Sequence, residues 1–429
     1  MHRRTKVRAA NCCARRKTES SSPPLCTAVR MTECVGSICW IKRSSDLNAM
    51  RRKKTWFLVA SFCLAVSLRS GMAMGPTSWN ELIEAGNKEA QVAIYGSGYY
   101  GEVSREFQKK FPKIRVQYES GGGASQFAVR LMTERRAGKY FWDLYLGGIV
   151  TPYKVFYDSR ILEPIKPALL LSEVLDESKW WEGKHHYADP EGKYIFVFQG
   201  DVHGGENAYN VKLVDPQEFK SYRDFLAPKW KGKIVAYDPK SVSTVAHSLR
   251  FFYNSPGLGP DFIRRFFGDM ELTLSRDQRQ MLDWLAAGKF PIAFFISGVE
   301  EAGKQQSLPV RMFDPNSFTE GAFVGPTQGS AALFSRAPHL NAAKVALNWL
   351  LSREGQIAYQ AVYAKVGEAR ESMREDIPKE LVPPSSRRVK GGRYIYSGRP
   401  EWIDMGPVNE IVNEALQKRK LRDGSAESR

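Results

Sequence analysis

The chain has 429 residues and carries 63 lysines and arginines against 46 aspartates and glutamates, which gives a formal net charge of +17. Residues 1–73 hold 15 of those basic residues and only 3 of the acidic ones, so the remaining chain has a net charge of about +5. Sequence-independent nucleic-acid binding needs a clustered basic surface, and this modest charge argues against a nucleic-acid partner. Residues 74–429 are enough for one large or two ordinary domains.

The segment 50–73 has the three parts of a secretory signal peptide. A basic start at 50–54 precedes the apolar run 56–68, and small residues lead up to Ala73. We therefore predict export, with cleavage after Ala73. All six cysteines lie before or within this apolar run. The run is too short to span a bilayer comfortably, since about 20 residues are needed, although an uncleaved N-terminal anchor is the alternative interpretation.

Residues 1–49 precede this leader and show little periodic apolar pattern. Such a composition is typical of a disordered segment. Because a conventional leader begins at Met50, we interpret residues 1–49 as a spurious or disordered extension upstream of the true start.

The first part of the exported region alternates helical segments with short strands. The capping box Ser78-x-x-Glu81 starts a helix, and apolar strands are predicted at 91–95, 114–118 and 141–146. Amphipathic helical stretches separate these strands. This alternation predicts a mostly parallel α/β sheet.

Each of these three strands runs into a turn rich in glycine or serine. In parallel α/β sheets the ligand lies beyond the carboxyl ends of the strands. Backbone N–H groups and hydroxyls at helix N-termini favour an anion or another group rich in acceptors. Glycines also permit tight turns without any ligand, but three such turns at one sheet edge predict a binding site there.

A second set of strands and helices follows from residue 207. The capping boxes Ser221-x-x-Asp224 and Ser275-x-x-Gln278 predict two helices, and 291–296 is an apolar strand. We interpret these elements as a second lobe.

Four segments carry a resemblance to a known family. They read VAIYGSGYYGEVSREFQKKFP, YNVKLVDPQEFKSYRDFLAPKWKGKIVAYDP, MLDWLAAGKFPIAFF and AAKVALNWLLSREGQIAYQ. The chain resembles bacterial extracellular solute-binding proteins of ATP-driven importers over 79–363. The second and fourth segments are the most specific, whereas the first is shared by many α/β domains.

The resemblance implies a type II periplasmic-binding fold, an α/β architecture of two lobes, each a mostly parallel sheet flanked by helices. It also implies that the lobes close over a small-molecule solute in the periplasm and deliver it to an ABC permease in the inner membrane. It implies no cofactor, and we expect a monomer. The expected division is lobe 1 at 74–206, lobe 2 at 207–322, and a return to lobe 1 with C-terminal helices at 323–429, with hinge candidates at Asn207–Asn210 and Phe323–Gly325.

The candidate ligand contacts come from the turns of both lobes. The hydroxyls at helix starts in lobe 2 serve equally well as helix caps, and adjacent tyrosines are typical walls of an organic-ligand pocket. The predicted contact residues are Ser97, Tyr99, Tyr100, Ser120, Gly122, Ser125, Ser243, Thr244, Ser297 and Glu300.

The favoured solute is an organic anion such as a carboxylate or phosphonate, with a ferric-iron or polyamine binder as the alternative. Ferric binders of this group present a tyrosine pair after the strand that corresponds to 291–296, where this chain has Ser297 and Glu300. Tyr99 and Tyr100 keep the iron hypothesis open. Aromatic residues would suit an amine through cation–π contact.

Catalysis is the competing class of function. No nucleophile elbow, P-loop or H-E-x-x-H motif is present in the sequence. The exported region has no cysteine, which excludes a thiol nucleophile there. The histidines lack the spacing of zinc ligands, so no metal site is predicted.

Overall fold

The computed structural model describes residues 76–240, 244–368 and 370–427, which belong to one compact unit. The expectations for residues 1–49 and for the signal peptide at 50–73 lie outside the described residues. Within the described part, no helix combines the length and the apolar character needed to cross a membrane.

Eleven α-helices occur in the described residues, joined by short 3₁₀ turns and one π-helical segment. They are α1 (Trp79–Glu89), α2 (Tyr100–Lys110), α3 (Gly123–Arg136), α4 (Ser172–Leu175), α5 (Thr244–Asn254), α6 (Gly259–Asp269), α7 (Gln278–Ala286), α8 (Val299–Gln305), α9 (Leu340–Leu351), α10 (Arg353–Lys365) and α11 (Gly406–Glu427).

Fifteen strands occur in the same part of the chain and form three sheets. They are β1 (Gln91–Gly96), β2 (Arg115–Glu119), β3 (Leu144–Gly147), β4 (Leu162–Glu163), β5 (His186–Tyr187), β6 (Phe196–Val197), β7 (Asp201–His203), β8 (Asn207–Asn210), β9 (Ile234–Tyr237), β10 (Thr273–Ser275), β11 (Ile292–Phe294), β12 (Val310–Met312), β13 (Ala322–Gly325), β14 (Ser330–Phe334) and β15 (Tyr394–Tyr396).

Two of the three predicted helix starts have the predicted cap. Ser78 and Glu81 form the reciprocal capping box of α1, and Ser221 and Asp224 form one that opens a 3₁₀ turn instead of an α-helix. The third prediction is wrong. The N-cap of α7 is Asp277, whose carboxylate accepts from the backbone N–H of Gln280 at 3.0 Å, because Ser275 is the last residue of β10.

The first sheet has the order β2-β1-β3-β14-β6-β5, with β4 paired to β14. Strand β1 is parallel to both β2 and β3, as the alternating helices predict, since a helical crossover returns the chain in the same direction. Strand β14 enters from the other lobe and pairs antiparallel with β3. The sheet is therefore mixed, because β1, β2 and β3 are parallel to one another and β14 is antiparallel to β3.

The second sheet, with the order β10-β9-β11-β8-β12, is also mixed. Its strands alternate between two apolar layers because successive side chains point to opposite faces. Ile234 and Phe294 lie in one buried cluster, whereas Val235 and Ala293 lie in another. The first sheet has a separate buried cluster of its own, so the described chain has the two-lobe α/β architecture that was predicted.

A third sheet, β15-β13-β7, lies where the chain crosses between the lobes. Phe323 of β13 is paired with His203 of β7, antiparallel, and β15 lies parallel on the other side of β13. The hinge candidate Phe323–Gly325 is thus part of this sheet. The candidate Asn207–Asn210 is instead β8, inside the second sheet, because the first crossing occurs earlier, at β7.

The C-terminal helix α11 packs against α6. Its apolar residues Val408, Ile411 and Val412 are buried in the same cluster as Phe266 of α6. The expectation placed all of 323–429 with the first lobe. Strand β14 and helix α9 do pack there, but α11 packs with the second lobe, where its apolar residues and those of α6 are buried together.

Candidate functional site

A cavity of about 250 Å³ lies where both lobes meet the crossing sheet. Its walls come from the turns after β1 and β3, the start of α3, one face of α5, and the segments around β13 and β15. The lining residues are Ser97, Ala124, Tyr145, Gly148, Ile149, Val150, Thr151, Ala246, His247, Arg250, Phe323, Gly325, Pro326, Thr327, Ser397 and Trp402.

The first-lobe wall presents hydroxyl and amide groups. The Ser97 backbone N–H donates to Leu146 O at 3.1 Å, which fixes the turn after β1. The buried Ser97 Oγ has no hydrogen-bond partner within the described residues. Ala124 lies in the first turn of α3, whose N-cap, Gly122, offers no side-chain hydrogen bond. This wall therefore holds unused donors near the positive end of a helix dipole.

The second-lobe wall is a face of α5. His247 and Arg250 are three residues apart, so they project from one side of the helix, and both line the cavity. The guanidinium of Arg250 is partly buried and has no hydrogen bond or ion pair to any described residue, and its buried Nε is unpartnered. Burial lowers the pKa of Arg250, but an arginine stays charged at physiological pH.

His203 of β7 lies behind His247. The two imidazole rings are stacked, with centroids 6.5 Å apart. His203 Nδ1 lies 3.1 Å from Glu206 Oε1, and Nε2 lies 3.4 Å from Thr327 Oγ1. Burial opposes a charge on His203, but the hydrogen bond and negative charge of Glu206, with Asp201 nearby, outweigh it and raise the pKa of His203.

Burial has the opposite result at His247. It lowers the pKa of His247 to about 3, and the positive charges of His203 and Arg250 add to the effect. His247 is therefore neutral at neutral pH, and neither ring nitrogen is hydrogen-bonded to a described residue. The site combines one permanent cation, one neutral imidazole and several free donors.

The predicted first-lobe contacts are only partly brought together. Ser97 lines the cavity, whereas Ser120, Gly122 and Ser125 are exposed on the turn before α3 and in its first turn. They are not among the residues that line it.

The predicted tyrosines lie behind the wall. Tyr100 is completely buried, and its hydroxyl donates to Gln328 O at 2.8 Å. The Tyr99 ring packs edge-on against Tyr363, with centroids 5.6 Å apart. Burial raises the pKa of Tyr100 well above its usual value, so a phenolate is disfavoured at this position.

The predicted second-lobe contacts Ser297 and Glu300 are not among the residues that line the cavity. Ser297 is exposed at the turn before α8, and Glu300 Oε1 accepts from the Met312 backbone N–H at 2.8 Å. Thr244 is the first residue of α5, and Ser243 lies outside the described residues. Ligand contact by these residues stays a prediction.

Sequence reasoning missed Arg250 and His247. Their signal was a single arginine and a single histidine within the apolar helical stretch 245–252. A charge at an otherwise apolar helical position is costly unless it has a partner or a ligand. That cost marks Arg250 as a candidate.

Among the described residues, no group of three or more histidine, cysteine, aspartate or glutamate side chains is placed to hold a metal ion. The cavity lining likewise includes no aspartate or glutamate.

Comparison with known proteins identifies the family. A family profile described as bacterial extracellular solute-binding protein matches residues 89–357, which is more than half of the chain. No curated protein matches the sequence closely enough to count as a relative.

Several solved structures share the fold. Apo FutA2 from Synechocystis PCC6803 is 16% identical and has a TM-score of 0.55 over 76% of this chain and 98% of its own. Iron-bound HitA from Pseudomonas aeruginosa is 17% identical, with a TM-score of 0.51 over 76% and 99%. The Trichodesmium protein IdiA (FutA), in complex with iron and citrate, is 18% identical, with a TM-score of 0.52 over 77% and 98%. At these identities the likeness shows the fold alone.

Proposed function

Since the chain belongs to the family of bacterial extracellular solute-binding proteins, we propose that it captures a small organic anion in the cavity between its lobes and delivers it to an ABC permease. Proteins of this family serve transport rather than catalysis. The leader-like segment 50–73 supports a periplasmic location after cleavage.

The observation that carries the anion assignment is the guanidinium of Arg250. It lines the cavity, is partly buried and has no counter-ion among the described residues. A buried cation without a partner is unfavourable, and an anionic group of a solute would supply the missing partner. A guanidinium can bind a carboxylate, phosphate or phosphonate through two parallel hydrogen bonds.

The first-lobe wall also favours a negatively charged solute. Ser97 and Ala124, in the first turn of α3, line the cavity in the first lobe, and the N-cap of α3 makes no side-chain hydrogen bond to the N–H groups there. An anion held between them and Arg250 would contact both lobes. Because a solute shifts a conformational equilibrium only by its differential affinity, such two-sided contact would favour the closed arrangement of the lobes.

The alternative solutes fit this lining less well. A polyamine would meet Arg250 and no carboxylate among the described lining residues. Ferric iron requires anionic oxygen donors, and burial raises the pKa of Tyr145, the one tyrosine in the lining. Its hydroxyl already donates to Gly148 O at 3.1 Å.

The test is a binding panel monitored by tryptophan fluorescence, because Trp402 lies in the cavity wall. The panel contains sulfate, methylphosphonate, acetate, citrate, spermidine, glucose and ferric citrate. We expect saturable binding of at least one of the free anions and none of spermidine or glucose. Thermal stability provides a second measurement, since a ligand at 100 times its Kd adds about 2.7 kcal/mol to the unfolding free energy.

The variant Arg250→Gln should weaken anion binding about 10- to 100-fold, the loss expected for a charge-assisted hydrogen bond. Arg265→Gln is the matched control, because Arg265 is exposed on α6, outside the cavity. Binding of spermidine but of no anion, or full anion affinity in the Arg250 variant, would overturn the proposal.

A further inference from the structure

We propose that His247 is a specificity-determining residue of this cavity, which takes up a proton when an anion enters and then donates a hydrogen bond to it beside Arg250. The inference rests on the proposed function, since it requires an anion in the cavity. Beyond the proposed function, it states that binding of the anion is coupled to the uptake of a proton. It also states that two cationic side chains of α5 contact the bound anion.

The placement of the two side chains supports a shared contact. His247 and Arg250 lie on one face of α5, and both line the cavity. Neither side chain has a hydrogen-bond partner among the described residues, so both are available to a solute. The His203 ring lies nearly parallel to the His247 ring, with centroids 6.5 Å apart.

The charged groups around His247 explain why it is neutral before binding. Two cations face it: Arg250 on its own helix and His203 on β7. His203 is paired with Glu206, and Asp201 and Arg370 also act on it. The remaining titratable group in the lining is Tyr145, which burial keeps protonated. No described carboxylate lies in the lining itself.

An anion in the cavity would raise the pKa of His247. Burial lowers the pKa of His247 to about 3, and an opposite charge within about 4–6 Å typically shifts a pKa by 1–3 units. The pKa of His247 in the complex would then lie at about 4–6. The complex therefore binds more protons than the free protein between pH 3 and 6, and affinity must rise as the pH falls through this window.

His203 contributes little to this linkage. Its pKa is raised in the folded protein, so it is already mostly protonated below pH 6.5 with or without the anion. The change of charge on binding is thus assigned to His247. The permanent positive charge of Arg250 then provides the affinity that persists at neutral pH.

The experiment measures the affinity for sulfate and for methylphosphonate between pH 4.5 and 6.5, with circular dichroism to verify folding at each pH. Sulfate stays doubly charged over this range, so any proton taken up belongs to the protein. We expect a shift of 2–3 units in the pKa of His247, the upper part of the range for a close opposite charge, which makes binding about 4- to 25-fold tighter at pH 4.5 than at pH 6.5. Titration calorimetry in two buffers of different ionisation heat should show net proton uptake.

The variant His247→Gln should lose the increase in affinity between pH 6.5 and pH 4.5, because glutamine still donates a hydrogen bond but cannot gain charge. If that variant is misfolded, nuclear magnetic resonance of the labelled histidine rings in the unmodified protein gives the same information. A ring signal that titrates at the same pH with and without anion would overturn the inference.

The two proposals fail in distinguishable ways. If no anion of the panel binds at any pH, the proposed function is wrong. If an anion binds and Arg250→Gln abolishes binding, but the affinity is independent of pH or the His247 variant keeps the full pH dependence, only the role of His247 is wrong.

Discussion

His339 is hydrogen-bonded to the completely buried carboxylate of Asp143 through both its ring and its backbone. His339 Nδ1 lies 3.0 Å from Asp143 Oδ2, and the His339 N–H donates to Oδ1 at 2.8 Å. Oδ2 also accepts from the Ala93 N–H of β1 at 2.7 Å. One carboxylate thus joins β1 and the segment before β3 to the start of α9.

Asp143→Ala should destabilise the first lobe. The buried N–H of Ala93 and the partly buried N–H of His339 would lose their acceptor, and an unsatisfied buried group costs about 1–3 kcal/mol. We expect a loss of at least about 2 kcal/mol in the unfolding free energy, measured by urea denaturation. Asp158→Ala is the control, since Asp158 is exposed and its side chain makes no hydrogen bond within the described residues. Equal effects of the two substitutions would contradict the structural role of Asp143.

Ser97→Ala should weaken anion binding without destabilising the free protein. Ser97 Oγ is buried and has no hydrogen-bond partner among the described residues, so folding gains nothing from it. A neutral hydrogen bond to the solute contributes about 0.5–1.5 kcal/mol, or about 2- to 12-fold in Kd. Ser297→Ala, on the exposed turn before α8, should leave Kd unchanged. An affinity loss confined to the Ser297 variant would move the second-lobe contact to that turn.

His186 should make stability fall in acid. Its ring stacks on Trp181, with centroids 4.9 Å apart, and meets Tyr396 edge-on. Burial, followed by the nearby charges of Lys184 and Arg388, lowers the pKa of His186 to about 3. An unfolded histidine titrates near 6.5, so between pH 6.5 and 3 the unfolded state binds more protons, and stability decreases as the pH falls.

From pH 6.5 to pH 4 this single group should cost about 3 kcal/mol of unfolding free energy. His186→Gln removes the titrating ring, so the unfolding free energy of this variant should depend less steeply on pH over the same interval. Denaturant unfolding at several pH values measures the difference, and contributions from other groups cancel between the two proteins. Parallel curves for the two proteins would show that His186 titrates normally in the folded state.

The architecture was predictable because its signals are local. The capping box at Ser78 and the apolar strand at 91–95 both appear in the structure at the expected positions, and the family segments extended the prediction to two lobes. The antiparallel half of each sheet was not predictable. The direction of β14 depends on the lobe from which the chain enters the sheet. A short window of sequence carries no information about that path.

The site was less predictable than the fold. Of the residues predicted from the glycine–serine turns, Ser97 lines the cavity, and its contact with a ligand stays a prediction. Which turn residues reach the cavity depends on how the lobes pack. Arg250 lies in a helix whose apolar residues look like ordinary core. Only the tertiary structure shows that this face of α5 borders a cavity and that no described carboxylate neutralises the charge.

Alanine substitutions at two helical glycines should change the free energy of unfolding in opposite directions. At Gly355 in the first turn of α10, an added Cβ would lie 1.9 Å from Trp349 O and 2.8 Å from Leu350 Cα. Both atoms belong to the backbone of α9, which cannot move aside without breaking the junction. At Gly268 in α6, an added Cβ would lie 3.8 Å from Ala415 O and 3.9 Å from Ala415 Cβ, ordinary contact distances across the α6–α11 interface.

Gly355→Ala should therefore cost about 3 kcal/mol or more, because overpacking against a rigid backbone is at the high end of such penalties. Gly268→Ala should stabilise the protein by about 0.5–1 kcal/mol, since alanine loses less backbone entropy than glycine in a helix. Chemical denaturation of the two variants beside the unmodified protein measures both changes. A stabilising effect at Gly355 would mean that α9 and α10 are joined less tightly than the structure shows, whereas a loss at Gly268 would mean closer packing of α11 on α6.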